Sequence, residues 1–133
     1  MDIGAVFNGY CSDITRMSVP KDKKYREIYE DLLDLNSFLI DNIEPGKTFE
    51  YVNSMYEKFM KEKKFRVMHS FGHGVGLSVH ERPFGKDKFE PGMVLTVEPG
   101  IYIKNKNGFR IEDMILVGKE KPVILTKGIR QEL

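Results

Sequence analysis

Apolar and polar positions along this chain follow two different periods. Residues 3–7 and 10–19 are short, β-prone runs that predict two strands joined at Asn8-Gly9. Both turn residues tolerate positive φ, which is a strong hairpin signal. A two-residue turn sets Phe7 opposite Tyr10 and Gly4 opposite Asp13. Asp2 and Asp13 then share a face as diagonal neighbours, roughly 7 Å apart at the backbone. Pro20 ends the second strand. Over 22–42, Tyr25, Ile28, Tyr29, Leu32, Leu35 and Leu39, followed by Ile43, recur at helical spacing and predict a helix with one buried stripe. Glu44-Pro45-Gly46 stops it. Thr48 reads as the N-cap of a second helix, with Val52, Met55, Tyr56, Phe59 and Met60 on its inner face. That stripe reads as core, and 58–64 as a solvated face.

After Phe65 the helical period ends. A loop of glycines and histidines runs to Glu81 and continues to Gly85. Short strands follow over 93–97, 101–103, 109–117 and 123–125, punctuated by Glu90-Pro91-Gly92, Glu98-Pro99-Gly100 and a polar tip at 104–108. A hairpin, two helices and then antiparallel strands make an α+β pattern, not the alternation of a parallel sheet.

Composition narrows the class. The 133 residues are 41% hydrophobic and 31% charged with a net charge of +1. That suits one soluble domain with one core, without internal repeats. It gives no field that would favour nucleic acid or an anionic membrane as a partner. No apolar run is long enough for a bilayer, and no signal peptide is visible. The single cysteine, Cys11, excludes an internal disulfide and suits a reducing cytoplasm, which is the expected location.

The candidate chemistry gathers in one stretch. All three histidines, His69, His73 and His80, lie within 69–81, interleaved with Gly72, Gly74 and Gly76. Glu98 ends one apolar strand and Glu112 lies inside another. Carboxylates on core strands are costly unless paired or bound to metal. A five-residue loop between those strands would set Ile103 opposite Phe109 and Glu98 opposite Met114, with Glu112 as the diagonal neighbour of Glu98. Asp2, Asp13, His73, Glu98 and Glu112 then form an oxygen-dominated set without thiolate. Hard divalent ions suit it, manganese first, with cobalt, iron or zinc also within its range. Four carboxylates exceed what one ion needs; two bridged metals would use them and activate a water for hydrolysis. Competing motifs fail. The glycine spacing is not a dinucleotide fingerprint, and His80-Glu81 lacks the second histidine of a zinc-protease helix. Ser70 or Ser78 beside histidine does not orient a triad.

The stretches Asp2-Ile3-Gly4-Ala5, Ser12-Asp13-Ile14-Thr15-Arg16, His69 to Gly74, Val79-His80-Glu81, Val97-Glu98-Pro99-Gly100 and Arg110-Ile111-Glu112-Asp113 together resemble the pita-bread metallopeptidases. The likeness is to the Xaa-Pro branch, the prolidases and aminopeptidase P, and runs over essentially the whole chain. Methionine aminopeptidases share the fold and ligand set, so their specificity is a weaker alternative; Arg-Ile-Glu-Asp resembles the proline-specific form. Creatinase-like relatives lack metals, but all five ligand positions are filled here.

The resemblance implies a pita-bread (creatinase/aminopeptidase-like) fold and specific roles. Asp2 would chelate one metal, Asp13 and Glu112 would bridge both, and His73 and Glu98 would bind the other. Glu98 would also guide the proton of the bridging water or hydroxide. His80 would contact substrate and help stabilise the tetrahedral intermediate, His69 would lie near the leaving side, and Arg110 would order the site or substrate. The implied reaction is hydrolysis of the bond between an N-terminal residue and proline by a hydroxide activated by two metals. The implied partner is a peptide with proline second. A homodimer is expected by family analogy and from an exposed apolar patch. Against the family pattern, 1–133 is expected to be a single partial catalytic domain, without the first half of the fold or the N-terminal accessory domain. Asp2 would then fray, with nothing holding that end. An inactive fragment, or a non-catalytic binding or assembly module, is the alternative.

Overall fold

The computed structural model describes residues 1–129. Strands β1 (Asp2–Phe7) and β2 (Tyr10–Thr15) form an antiparallel hairpin. Helices α1 (Lys23–Asp41) and α2 (Phe49–Glu62) follow. After a long loop come β3 (Val94–Val97), β4 (Gly100–Tyr102), β5 (Gly108–Arg110), β6 (Asp113–Leu116) and β7 (Val123–Ile124). The sheets are ordered β1-β2, β3-β6-β7 and β4-β5, all antiparallel. The architecture is α+β.

The helices begin where their caps dictate. The Asp22 carboxylate accepts the amides of Lys24 at 2.9 Å and Tyr25 at 3.3 Å, and the Thr48 hydroxyl accepts that of Tyr51 at 3.2 Å. Each cap satisfies amides that would otherwise lack a partner and contributes about 1 kcal/mol. The α1 stripe and the α2 inner face bury Leu32, Leu39, Val52, Tyr56 and Met60 against Leu95, Ile101, Ile111 and Ile115. Truncating any of these leucines to alanine costs about 2–5 kcal/mol.

The hairpin register is as the turn requires: Phe7 pairs with Tyr10 and Gly4 with Asp13. Asn8 and Gly9 both take positive φ. The second strand stops at Thr15, short of the expected 19. Asp2 is the first residue of β1 and pairs with Thr15. The Met1 nitrogen donates to the Arg16 carbonyl at 2.6 Å, and the Arg16 amide returns a bond to the Met1 carbonyl at 2.8 Å.

The later strands correct the sequence reading twice. The expected strand over 109–117 breaks into β5 and β6, and its register against 94–103 differs by two residues. Thr96 pairs with Met114 and Ile101 with Phe109. The connection is tighter than five residues because Asn105 adopts φ 58° and the Ile103 amide bonds the Asn107 carbonyl at 2.8 Å. The shift is even, so it preserves faces, and it moves Glu112 from a diagonal position to directly across from Glu98. The break has a local cause. Pro99 has no amide to give the ladder, the Glu98 amide goes to the Phe71 carbonyl at 2.7 Å, and the Glu112 amide goes to the Thr15 carbonyl at 3.1 Å. The gap therefore admits β2 and the histidine loop to the carboxylate-bearing edge.

Candidate metal centre

Each candidate is delivered by a different element. Asp13 projects from β2 opposite Gly4, where a Cβ would sit 2.4 Å from the Ser12 carbonyl oxygen. His73 is fixed against β3. Its carbonyl accepts the Thr96 amide at 2.8 Å, and its amide donates to the Thr96 hydroxyl at 3.0 Å. The flanking glycines make that approach feasible: a Cβ on Gly72 would lie 2.0 Å from the Thr96 carbonyl oxygen, and one on Gly74 1.8 Å from that of Arg82. Just upstream, the buried Phe71 stacks on Phe49 and donates its amide to Asn53 Oδ1 at 3.0 Å, which anchors the loop to α2.

These elements converge. His73 Nε2 lies 3.4 Å from Glu98 Oε1 and 3.7 Å from Asp13 Oδ2. Ligand atoms of Asp13, His73 and Glu112 all lie within 4.8 Å of one another, a spacing that could hold a metal ion. Glu112 is buried, and its Oε2 accepts the Thr15 hydroxyl at 2.8 Å. The Asp2 carboxylate contacts the Arg110 guanidinium, and its charge is among those that raise the Glu112 carboxyl. Arg110 Nε also lies 3.9 Å from Glu98 Oε2 and donates to Thr15 Oγ1 at 3.3 Å.

The carboxylates strain against each other. Burial pushes the Glu112 carboxyl up to about 7, reinforced by the charges of Glu98, Asp13 and Asp2 and opposed by the Thr15 hydrogen bond. Burial likewise raises Glu98, while His69 and Arg110 pull it down. The upward shifts of Glu112 and Glu98 are what a bound cation would relieve. The donor set, oxygen-rich with one imidazole, fits a divalent ion.

The other two histidines take separate places. The His80 ring lies 4.1 Å from that of His73, centroid to centroid. His69 is held further along, with Nε2 2.9 Å from the Tyr102 hydroxyl and Nδ1 2.8 Å from the Ser70 carbonyl. Tyr56 packs near His69 and donates its hydroxyl to the Gly100 carbonyl at 3.0 Å; burial pushes that phenol up to about 12.

Several supporting residues escaped the sequence reading. Thr15 shares a face with Asp13 on β2, so strand periodicity could have flagged it. Arg16 forms a buried ion pair with Asp113 at 2.7 Å, and its Nη1 donates to the Glu112 carbonyl at 2.5 Å. The buried Asn36 of α1 donates to the Val97 carbonyl at 2.9 Å, next to Glu98. Asn36 interrupts an apolar stripe, which is a readable signal. Tyr102 had none.

Comparison with known proteins establishes the family. The pattern of metallopeptidase family M24 matches residues 1–119. The Xaa-Pro dipeptidase of Pyrococcus furiosus is 40% identical over 141 aligned residues, covering 100% of this chain and 40% of that protein. The crystal structure of the prolidase from Pyrococcus horikoshii superposes with a TM-score of 0.90 at 39% identity, covering 99% of this chain and 40% of that one. An alanine variant of Escherichia coli aminopeptidase P superposes at 0.82 with 27% identity, over 98% of this chain and 38% of that one. The fold is thus a portion of the pita-bread architecture of prolidases and aminopeptidase P. The chain belongs to metallopeptidase family M24, whose members use divalent metals. It spans about 40% of the length of the relatives named here.

Proposed function

We propose that this chain is the metal-binding catalytic part, a single partial domain, of a peptidase that cleaves between an N-terminal residue and proline. The observation that carries the reading is the convergence of Asp13, His73 and Glu112 within 4.8 Å, with Glu98 3.4 Å from His73. Asp2, Asp13, His73, Glu98 and Glu112 would hold two divalent ions, manganese by preference. When bound, the ions supply Lewis acidity and lower the pKa of a water for attack on the peptide carbonyl. Asp2, held by Arg110, completes the ligand set on one side. Glu98 would also guide the proton of the attacking water. His80 donates a hydrogen bond to the developing oxyanion, and His69, held by Tyr102, faces the departing proline nitrogen. Arg110 orders Asp2 and Glu98 around the substrate. No helix among the described residues is long and apolar enough to cross a membrane.

The reading is tested with Ala-Pro, Ala-Pro-Ala and Met-Ala-Ala in manganese. Metal-dependent release of alanine from the proline peptides, with Met-Ala-Ala untouched, is expected. Cleavage of Met-Ala-Ala instead would move the specificity to the methionine aminopeptidase type.

A second reading has its own observation. All six residues of β1 are exposed, Val6 at 70% and Phe7 at 77%. That favours a module that acts only when further protein covers the hairpin. Stoichiometric metal binding without peptide cleavage would support it.

A further inference from the structure

The loop after His73 carries a carboxylate, Glu81, that the proposed chemistry does not use. Leu77, Ser78, Val79 and His80 are all exposed, yet Glu81 is half-buried. Its side chain folds back across the loop, and Oε1 accepts the Ser78 amide at 2.6 Å. Gly76 provides the space: a Cβ there would sit 2.6 Å from Glu81 Oε2. The backbone closes the same loop. The Glu81 amide donates to the Gly74 carbonyl at 2.8 Å, and the Gly74 amide returns a bond at 3.1 Å. The Gly76 carbonyl accepts the Cys11 amide at 2.8 Å, which ties the loop to β2. His80 sits directly before this clamp, with its ring against His73.

We propose that Glu81 is a positioning residue for His80: its carboxylate, seated against Gly76 and accepting the Ser78 amide, locks the 74–81 loop in the shape that lays His80 over His73. The significance for catalysis rests on the reading of His80 as a substrate-side group, but the clamp itself does not. A carboxylate on a backbone amide is roughly twice as strong as a neutral acceptor, and it holds a segment whose other side chains point into water. The third glycine of the histidine loop thus makes room for a side chain, whereas Gly72 and Gly74 make room for backbone.

The test uses the metal-free protein, by amide hydrogen exchange and by contacts between the two imidazole rings in NMR spectra. Glu81→Ala should speed exchange at Ser78 about tenfold or more and abolish the His73–His80 ring contact, with α1 and β3 amides unchanged. Glu81→Gln, which keeps an acceptor oxygen, should retain the ring contact. Gly76→Ala, which evicts the carboxylate without altering residue 81, should reproduce Glu81→Ala. Unchanged Ser78 exchange and an intact ring contact in both Glu81→Ala and Gly76→Ala would overturn the proposal. If the clamp opens as expected while turnover of Ala-Pro by the metal-loaded protein is unaffected, the clamp stands and the substrate role of His80 fails.

Discussion

The Thr15 hydroxyl donates to Glu112 Oε2 at 2.8 Å, and the Glu112 amide donates back to the Thr15 carbonyl at 3.1 Å. This reciprocal pair joins β2 to the break between β5 and β6. It fixes the one fully buried carboxylate of the centre. Thr15→Val keeps the shape and removes the hydroxyl. It should weaken divalent-metal affinity about tenfold, the usual cost of losing a partner that orients a ligand, and cost about 1–3 kcal/mol of stability. Calorimetric metal titration and urea unfolding measure both. Unchanged metal affinity would show that Glu112 is oriented without Thr15.

Glu112 also dictates a pH dependence in the metal-free protein. Its carboxyl is pushed from the ordinary 4.5 to about 7. Below pH 4.5 it is protonated in both the folded and the unfolded chain. Between 4.5 and 7 the unfolded chain has released the proton and the folded chain has not, so stability falls as pH rises through that window. Glu98 is shifted in the same direction and adds to the slope. In chelator, the urea midpoint should therefore be lower at pH 7.5 than at pH 5.5. A saturating divalent metal should stabilise more at pH 7.5, because binding requires the deprotonated groups. A chelated protein that is more stable at pH 7.5 would contradict this.

The buried pair of Arg16 and Asp113 lies directly behind the centre, with Thr126 Oγ1 donating to the same Asp113 oxygen at 2.6 Å. Arg16→Met leaves the Asp113 charge buried and should cost about 3–5 kcal/mol. Arg16→Met combined with Asp113→Leu should cost less than the single change, since no uncompensated charge remains. Chemical unfolding of the two variants provides the comparison.

Asn36 links α1 to the centre through the Val97 carbonyl. Asn36→Leu leaves that buried acceptor without its partner and should cost about 1–3 kcal/mol. The same change should loosen Glu98, one residue further on, and so lower metal affinity. Hydrogen exchange in β3 and a metal titration would follow the two effects separately.

Much of this was legible in the sequence because local rules decided it. Asn8-Gly9 set the hairpin register, and Asp22 and Thr48 marked the helix starts. Asp13, His73 and Glu112, drawn from three separate motifs, meet in space. The failures came where partners distant in sequence compete. A long strand over 109–117 satisfies propensity, but Glu112 pairs with Thr15 some hundred positions away, and Pro99 leaves the opposing ladder without a donor. The tip at 104–108 reads as five residues until Asn105 takes left-handed φ and tightens it by two. The hairpin turn predicts that Asp2 shares the face of Asp13, as the register has it, but not which side chain Asp2 meets across the sheets. The fold turns it to Arg110, a contact that depends on the β4–β5 register.

The central claim is that these side chains form a divalent-metal centre, and equilibrium dialysis against manganese followed by metal analysis tests it most directly. Two manganese ions per chain are expected at saturation, with at least one lost in each of His73→Ala, Glu98→Ala and Glu112→Gln. Wild-type protein without manganese above background, or equal retention in all three variants, would contradict it.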